Sequence, residues 1–321
     1  MRLLIPLLGI GLIFTSSASA QEAPAWIDEP GKHLDLDVKG KLVRWVYEPL
    51  DSERREETYK PFLHVFTTDG ESFLTKGPGG KFTHHRGIYF GFSKCQWTDK
   101  DGKKQSVDTW HSKGGYQIHR EIIKKEANAS GGTLVAKIDW MQDGKDQAFI
   151  TEEREMAISN DDGAILVRFR STLSTDLDSV KLAGDPQHAG FQFRASNEVF
   201  EKTAKQTYYI RPESGKAEMG ATINWDQKKP VESDADLTLT NLPWKAMSFV
   251  VGEKRYTALY VDSPNNPKPA RHSERDYGRF GSYFESEVTK EKPLTVNYAL
   301  RIQKGEMTLE ECEAKAAELQ P

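Results

Sequence analysis

Residues 133–141, 148–158 and 164–172 read TLVAKIDWM, AFITEEREMAI and AILVRFRST, three runs in which apolar and polar residues largely alternate. Asp143-Gly144 separates the first two, and Asn160-Asp161-Asp162-Gly163 the last two, both turn-forming sequences. Side chains on a strand point alternately to opposite faces, so three such runs joined by tight turns predict an antiparallel meander. In the middle run Glu153 and Glu155 share one face while Glu152 and Arg154 share the other, which reads as a solvated sheet face. A carboxylate turned toward a histidine there would serve as a base or an orienting partner.

The same signature extends outward in both directions. Residues 34–38 alternate apolar with acidic, Lys39-Gly40 can turn, and residues 42–47 resume a strand, predicting a hairpin. In residues 61–68, Phe62, His64 and Phe66 share one face, which makes His64 a packed sheet residue. Further strands are expected at residues 190–194, 208–211, 246–251, 256–261 and 294–302. Helical periodicity is nearly absent until Thr308-Leu309-Glu310-Glu311, a capping box ahead of an Ala-, Glu- and Lys-rich stretch. Without a repeat period that would suggest a propeller, the pattern predicts an all-β protein. Its form is a large, supersandwich-like antiparallel β-sandwich with a short C-terminal helix, divided as residues 21–305 and 306–321.

The chain has 321 residues and a formal net charge of -4, with 44 Lys and Arg against 48 Asp and Glu, so nothing points to nucleic acid. Residues 1–20 combine Arg2, an apolar run over residues 3–14 and the small-residue ending Ala18-Ser19-Ala20, the pattern of a secretory signal peptide. That run is well short of the roughly 20 residues that span a bilayer, and no later segment is apolar enough. The expected location is periplasmic or secreted, with no membrane span. Cys95 and Cys312 are too few for a disulfide framework and read better as two free thiols than as a pair.

Chemistry concentrates in windows that follow turn signals. Gly77-Pro78-Gly79-Gly80 precedes His84-His85-Arg86-Gly87 at the mouth of an apolar run, where adjacent imidazoles can converge as they could not inside a strand. His111 and His119 flank residues 112–117, and His188 follows Asp185-Pro186-Gln187. Histidine suits acid-base work and is also the commonest metal ligand; none of these spacings matches a known metal signature. Residues 262–283 contain no clear periodic element, and a loop of that length is usually functional. Arg271, Arg275 and Arg279 offer donor forks there, and Tyr277 and Tyr283 flat faces; a structural flap is the plainer reading. Trp97 and Trp110 are open to stacking on a sugar or to burial, while Trp244 reads as core.

Four segments together resemble an exported bacterial family of uncharacterised function (DUF6807-like), whose members commonly carry the label "methane oxygenase PmoA". They are Lys60-Pro61-Phe62 through Thr68-Asp69-Gly70, residues 84–91 (HHRGIYFG), Asp108-Thr109-Trp110 with His119, and Ser263-Pro264-Asn265-Asn266-Pro267 to Asp276-Tyr277-Gly278. The resemblance covers most of the chain after residue 20. It implies the large β-sandwich of sugar mutarotases and some polysaccharide lyases. The label itself predicts nothing here, because the methane monooxygenase subunit of that name is an integral membrane protein. At Pro269-Ala270-Arg271-His272 the chain departs from relatives, which tend to carry an aromatic residue.

The reading that results is a carbohydrate-active enzyme, a hydrolase, lyase or epimerase, acting on a glycoside, uronic acid or modified sugar. His84, His85 and His188 are the candidate acid or base groups, and Arg86, His119, Gln187, Arg194, Asn266, Arg275 and Tyr277 the candidate substrate contacts. No cofactor is required, although a divalent metal held by the histidines is an alternative, as is a non-catalytic glycan-binding role.

Overall fold

A computed structural model describes residues 23–185, 187–223 and 239–321. The expected signal peptide lies outside the described residues. The described residues form three sheets, none closed, and their strands pair antiparallel. The first has eight strands in the order Ala25–Glu29, His33–Asp37, Lys41–Val46, Phe62–Val65, Ile88–Phe92, Ala189–Arg194, Arg279–Tyr283 and Arg271–Arg275. The second has nine, running from Gly215–Lys216 through Tyr208–Arg211, Trp244–Val251, Lys254–Asp262, Leu294–Lys304, Ala164–Ser174, Ala148–Asp161 and Gly131–Gln142 to Gly115–Asn128. A four-stranded sheet of Ser286–Thr289, Ser179–Ala183, Lys94–Thr98 and Lys104–Val107 completes them.

The meander forms as its alternation requires. Strand Ala148–Asp161 pairs with both Gly131–Gln142 and Ala164–Ser174, and Met156, Ile158, Leu134, Val167 and Phe169 enter one core. Leu36, Trp45, Leu63, Phe90 and Phe191 of the eight-stranded sheet meet them, so the two large sheets form a sandwich. The hairpin turn at Lys39-Gly40 is present, and both residues have positive φ. The C-terminal helix, Leu309–Leu319, covers the opposite face of the nine-stranded sheet by packing Cys312, Ala316 and Leu319 against Tyr208, Trp244 and Val261. Cys95 and Cys312 are buried in separate clusters and unpaired.

Two expectations are corrected. Glu152 and Arg154 are not a solvated face: both are fully buried, because Ile150, Met156 and Ile158 lie on the same side of their strand and turn it inward. The carboxylate of Glu152 accepts from Arg154 Nε (2.7 Å) and Nη2 (2.9 Å), Trp140 Nε1 (2.8 Å) and Ser171 Oγ (2.8 Å). Residues 262–283 are not one long loop either. Arg271–Arg275 and Arg279–Tyr283 are paired strands that turn at Asp276-Tyr277-Gly278, where Gly278 takes a φ of 79°. All ten of their residues are buried, polar ones included, so no apolar alternation marks them.

Candidate active site

Three adjacent strands build the floor of the site. Ile88, Phe90 and Phe92 of one strand, Phe191 and Phe193 of the next, and Phe280 of the third point into the core. The alternate residues therefore rise from the other face: Tyr89 and Gly91, Gln192 and Arg194, Arg279 and Gly281. Register aligns Gln192 with both Tyr89 and Gly281, and Arg194 with Arg279. Tyr89, Gln192, Arg194 and Arg279 are nonetheless buried, because loops fold over this face. Tyr59 Oη, 2.7 Å from Trp110 O and 3.1 Å from His84 O, ties two of those loops together. Lys60 Nζ donates to Trp110 O at 2.9 Å and lies 3.8 Å from the centre of the Tyr89 ring.

These loops bring four histidines together. The His84 ring is centred 4.4 Å from His85, 4.4 Å from His111 and 5.8 Å from His188, and His111 and His188 are 4.7 Å apart. One ring nitrogen each from His84, His111 and His188 falls within 4.8 Å of the others. His111 Nδ1 is 2.8 Å from Asp108 Oδ2, and His188 Nδ1 is 2.9 Å from both Asp185 oxygens. An ionised carboxylate only accepts, so in both rings Nδ1 carries the hydrogen and Nε2 is left with a free lone pair. The Nε2 of His84 is buried and finds no hydrogen-bond partner among the described residues.

Lys60 and Arg279 lie near the cluster, against the carboxylates of Asp108 and Asp185. Burial, followed by the neighbouring His111, Lys60, His188 and Arg279, holds His84 down to about 2. Burial also lowers His85 and, despite the hydrogen bond to Asp185, His188. His84, His85 and His188 are therefore neutral near pH 7, the form that donates a lone pair.

Of the expected site residues, the structure brings His84, His85 and His188 together, with Arg194 and Tyr277 beside them. Tyr277 stacks on His85 at 6.1 Å, lies 4.8 Å from Phe82 and takes the Arg194 guanidinium 4.9 Å from its ring centre. Arg86 donates to the carbonyls of Thr83, Glu56 and His85 (2.9 Å to the last), so it shapes the loop that presents the histidines. Gln187 contributes its carbonyl, which accepts from Arg279. Arg275 Nη1 is occupied by Ile223 O (2.8 Å) and Glu274 O (3.2 Å).

Asn266 and His119 are engaged elsewhere. Asn266 binds Asp262 and staples the backbone of Asn297, and His119 packs 4.9 Å from Tyr47 beside Trp45 under the charge of Arg154. Trp110 is buried with Phe62 and Tyr89, and Trp97 stacks on Phe149 at 4.6 Å. His111 and Arg279 stand out in the sequence only as a turn-flanking imidazole and a donor fork, and Asp108, Asp185 and Lys60 carry no chemical signal there by themselves. One signal was available: Asp108-x-x-His111 and Asp185-x-x-His188 repeat one spacing, and each aspartate binds the histidine three residues on.

Residues 33–317 match a family described as "Family of unknown function (DUF6807)". The chain belongs to the DUF6807 family. No curated protein matches it by sequence. Among solved structures it is similar to the galactosidase domain of an alpha-galactosidase-sucrose kinase, at 9% identity and a TM-score of 0.41 over 88% of this chain and 42% of that one. It is similar to a heparinase III at 8% identity and 0.35, over 89% and 36%. A galactose mutarotase related enzyme from Lactobacillus acidophilus gives 8% and 0.36, over 77% and 95%. The chain thus spans less than half the length of the first two. Among the described residues, no helix of this DUF6807 member is long and apolar enough to cross a membrane.

Proposed function

We propose that the chain is an exported enzyme acting on a sugar or sugar-derived small molecule, with His84, His111 and His188 holding a divalent metal ion. The observation that carries this reading is the convergence of three imidazoles, two of them fixed through Nδ1 by Asp108 and Asp185. Carboxylate-held histidines are the usual outer support of a histidine metal centre. The 4.8 Å spread of the ligand nitrogens compares with roughly 3.4 Å for a tetrahedral ion bonded at about 2.0–2.1 Å, a gap that small side-chain rotations close. Three histidines and an open position give an ion that acts as a Lewis acid or activates a bound water.

Metal-free acid-base catalysis by the same residues is less well supported. A general acid must carry its proton near the working pH, and close, buried imidazoles resist doing so together. His85, with Nδ1 unpartnered beside His84, then contacts the substrate rather than the ion, and Tyr277 with Phe82 forms an apolar wall suited to a sugar face.

Elemental analysis of purified protein loaded with zinc, manganese, cobalt or nickel tests the centre: about one ion per chain is expected, and none in His84→Ala or His188→Ala. Substoichiometric metal in the folded wild type overturns it. Turnover of a panel of glycosides and sugar acids, abolished by a chelator and restored by the ion, tests the activity. N-terminal sequencing of the exported protein, expected to begin at Gln21, tests the location.

A further inference from the structure

Arg194 and Arg279 are direct cross-strand partners, so their side chains rise side by side from one face of the sheet. Like charges in that relation repel, and each of these arginines is only 1% exposed. A guanidinium is costly to bury unless a carboxylate or a full set of acceptors balances it. Here the acceptors are few and neutral. Arg194 Nη1 gives to Ala195 O (2.8 Å) and Tyr277 O, and Arg279 Nη1 gives to Gln187 O.

Among the described residues, Arg194 Nε and Nη2 and Arg279 Nε find no hydrogen-bond partner. Of the nearby carboxylates, Glu274 is paired with Arg211 at 2.6 Å, and Asp185 is hydrogen-bonded to His188 and acts on Arg279 only through space. Among the described residues neither arginine has an ion-pair partner. Both abut the histidine cluster: Arg194 lies on the Tyr277 ring that stacks on His85, and Arg279 binds the carbonyl of the residue preceding His188.

We infer that Arg194 and Arg279 form an oxyanion-binding pair, so that the substrate of this site is an acidic molecule carrying a carboxylate or a phosphate. Two guanidiniums rising side by side from one sheet face, with three of their nitrogens unpartnered among the described residues, match the several acceptor oxygens of either group, and the anion supplies the ion pair that neither has. A neutral sugar would leave both cations buried and repelling. The inference rests on the proposed function for its location and adds the substrate's charge.

Calorimetric titration of the purified chain, with and without metal, against glucuronate, inorganic phosphate and glucose tests it. One of the two anions is expected to bind roughly ten to a hundred times more tightly than glucose, and which one it is identifies the group recognised. Arg194→Gln and Arg279→Gln should each lose most of that preference. Arg279→Lys, which keeps the charge without the fork, should fall between.

Glucose binding as tightly as both anions overturns the inference, as does an anion preference unchanged in folded glutamine variants, or no anion binding to folded, metal-loaded protein. If the glutamine variants do not fold, the wild-type preference and the lysine variant decide. The two readings fail separately: anion binding without stoichiometric metal sinks only the metal centre, and metal without anion binding sinks only this pair.

Discussion

Asp108 Oδ2 stands 2.8 Å from Nδ1 of His111, three residues along the chain, and Asp185 repeats the relation at His188. Such a carboxylate fixes the ring's rotation and tautomer and raises the basicity of its other nitrogen. Asp108→Ala and Asp185→Ala should each weaken metal binding by about 10- to 100-fold in competition with a calibrated chelator, with little change in folding. Asp108→Asn keeps an acceptor but loses the charge, so its loss should be smaller than that of Asp108→Ala. Unchanged affinity in both alanine variants would remove the tether from the account.

How far this site could be read in the sequence depended on where its information lay. The meander was legible because apolar residues at every second position can satisfy only a half-buried strand. The pairing of His84 with His85 at a strand mouth was legible because a glycine-proline cluster announced the junction. Their meeting with His111 and His188 was not, since it depends on loops folding back over one sheet face. Arg279 was legible as a donor fork but not as a strand residue beside the histidines, because its stretch is polar yet buried and the period-2 signal vanishes there. His119 and Asn266 looked equivalent to the others until packing assigned them to Tyr47 and to the Asn297 backbone.

His64 offers a pH test away from the cluster. Its ring stacks 4.0 Å from Phe73, its Nδ1 lies 3.0 Å from Thr75 Oγ1, and burial, reinforced by Arg44 and Arg86, holds it down to about 3 from 6.5. The unfolded chain therefore binds a proton in that interval that the folded chain refuses. Stability from this group is complete above about pH 6.5 and is lost as pH falls toward 3, at about 1.4 kcal/mol per pH unit. His64→Phe fills the aromatic slot without titrating. Denaturant melts at about pH 7 and 5 should show the variant gaining on the wild type as pH falls. Parallel curves would exclude His64 as the source.

The capping box at Thr308 can be tested by itself. Thr308 Oγ1 accepts from Glu311 N at 3.2 Å, and Glu311 Oε2 accepts from Thr308 N at 2.7 Å. Thr308→Ala should destabilise the helix end by roughly 1 kcal/mol, and Glu311→Gln, which keeps an acceptor, by less. Hydrogen exchange at residues 309–312 reads the effect locally. Protection unchanged in Thr308→Ala would mean that packing of Cys312 and Ala316 alone holds this end.

The buried Glu152 and Arg154 pair makes the sharpest stability prediction. Glu152 satisfies Arg154, Trp140 and Ser171 at once in the middle of the core, while Arg154 Nη1 has no partner among the described residues. Glu152→Gln removes the charge that balances a fully buried guanidinium, and should cost about 3–5 kcal/mol. Replacing both residues together, Glu152→Met with Arg154→Leu, removes the desolvated charges along with their attraction. That double variant should lie within about 2 kcal/mol of the wild type, far from the sum of the single losses. The coupling energy from denaturation curves of the wild type, Glu152→Met, Arg154→Leu and the double variant decides the matter. Additive losses would mean that the two side chains act independently and that the network around Trp140, not the ion pair, stabilises this part of the sandwich.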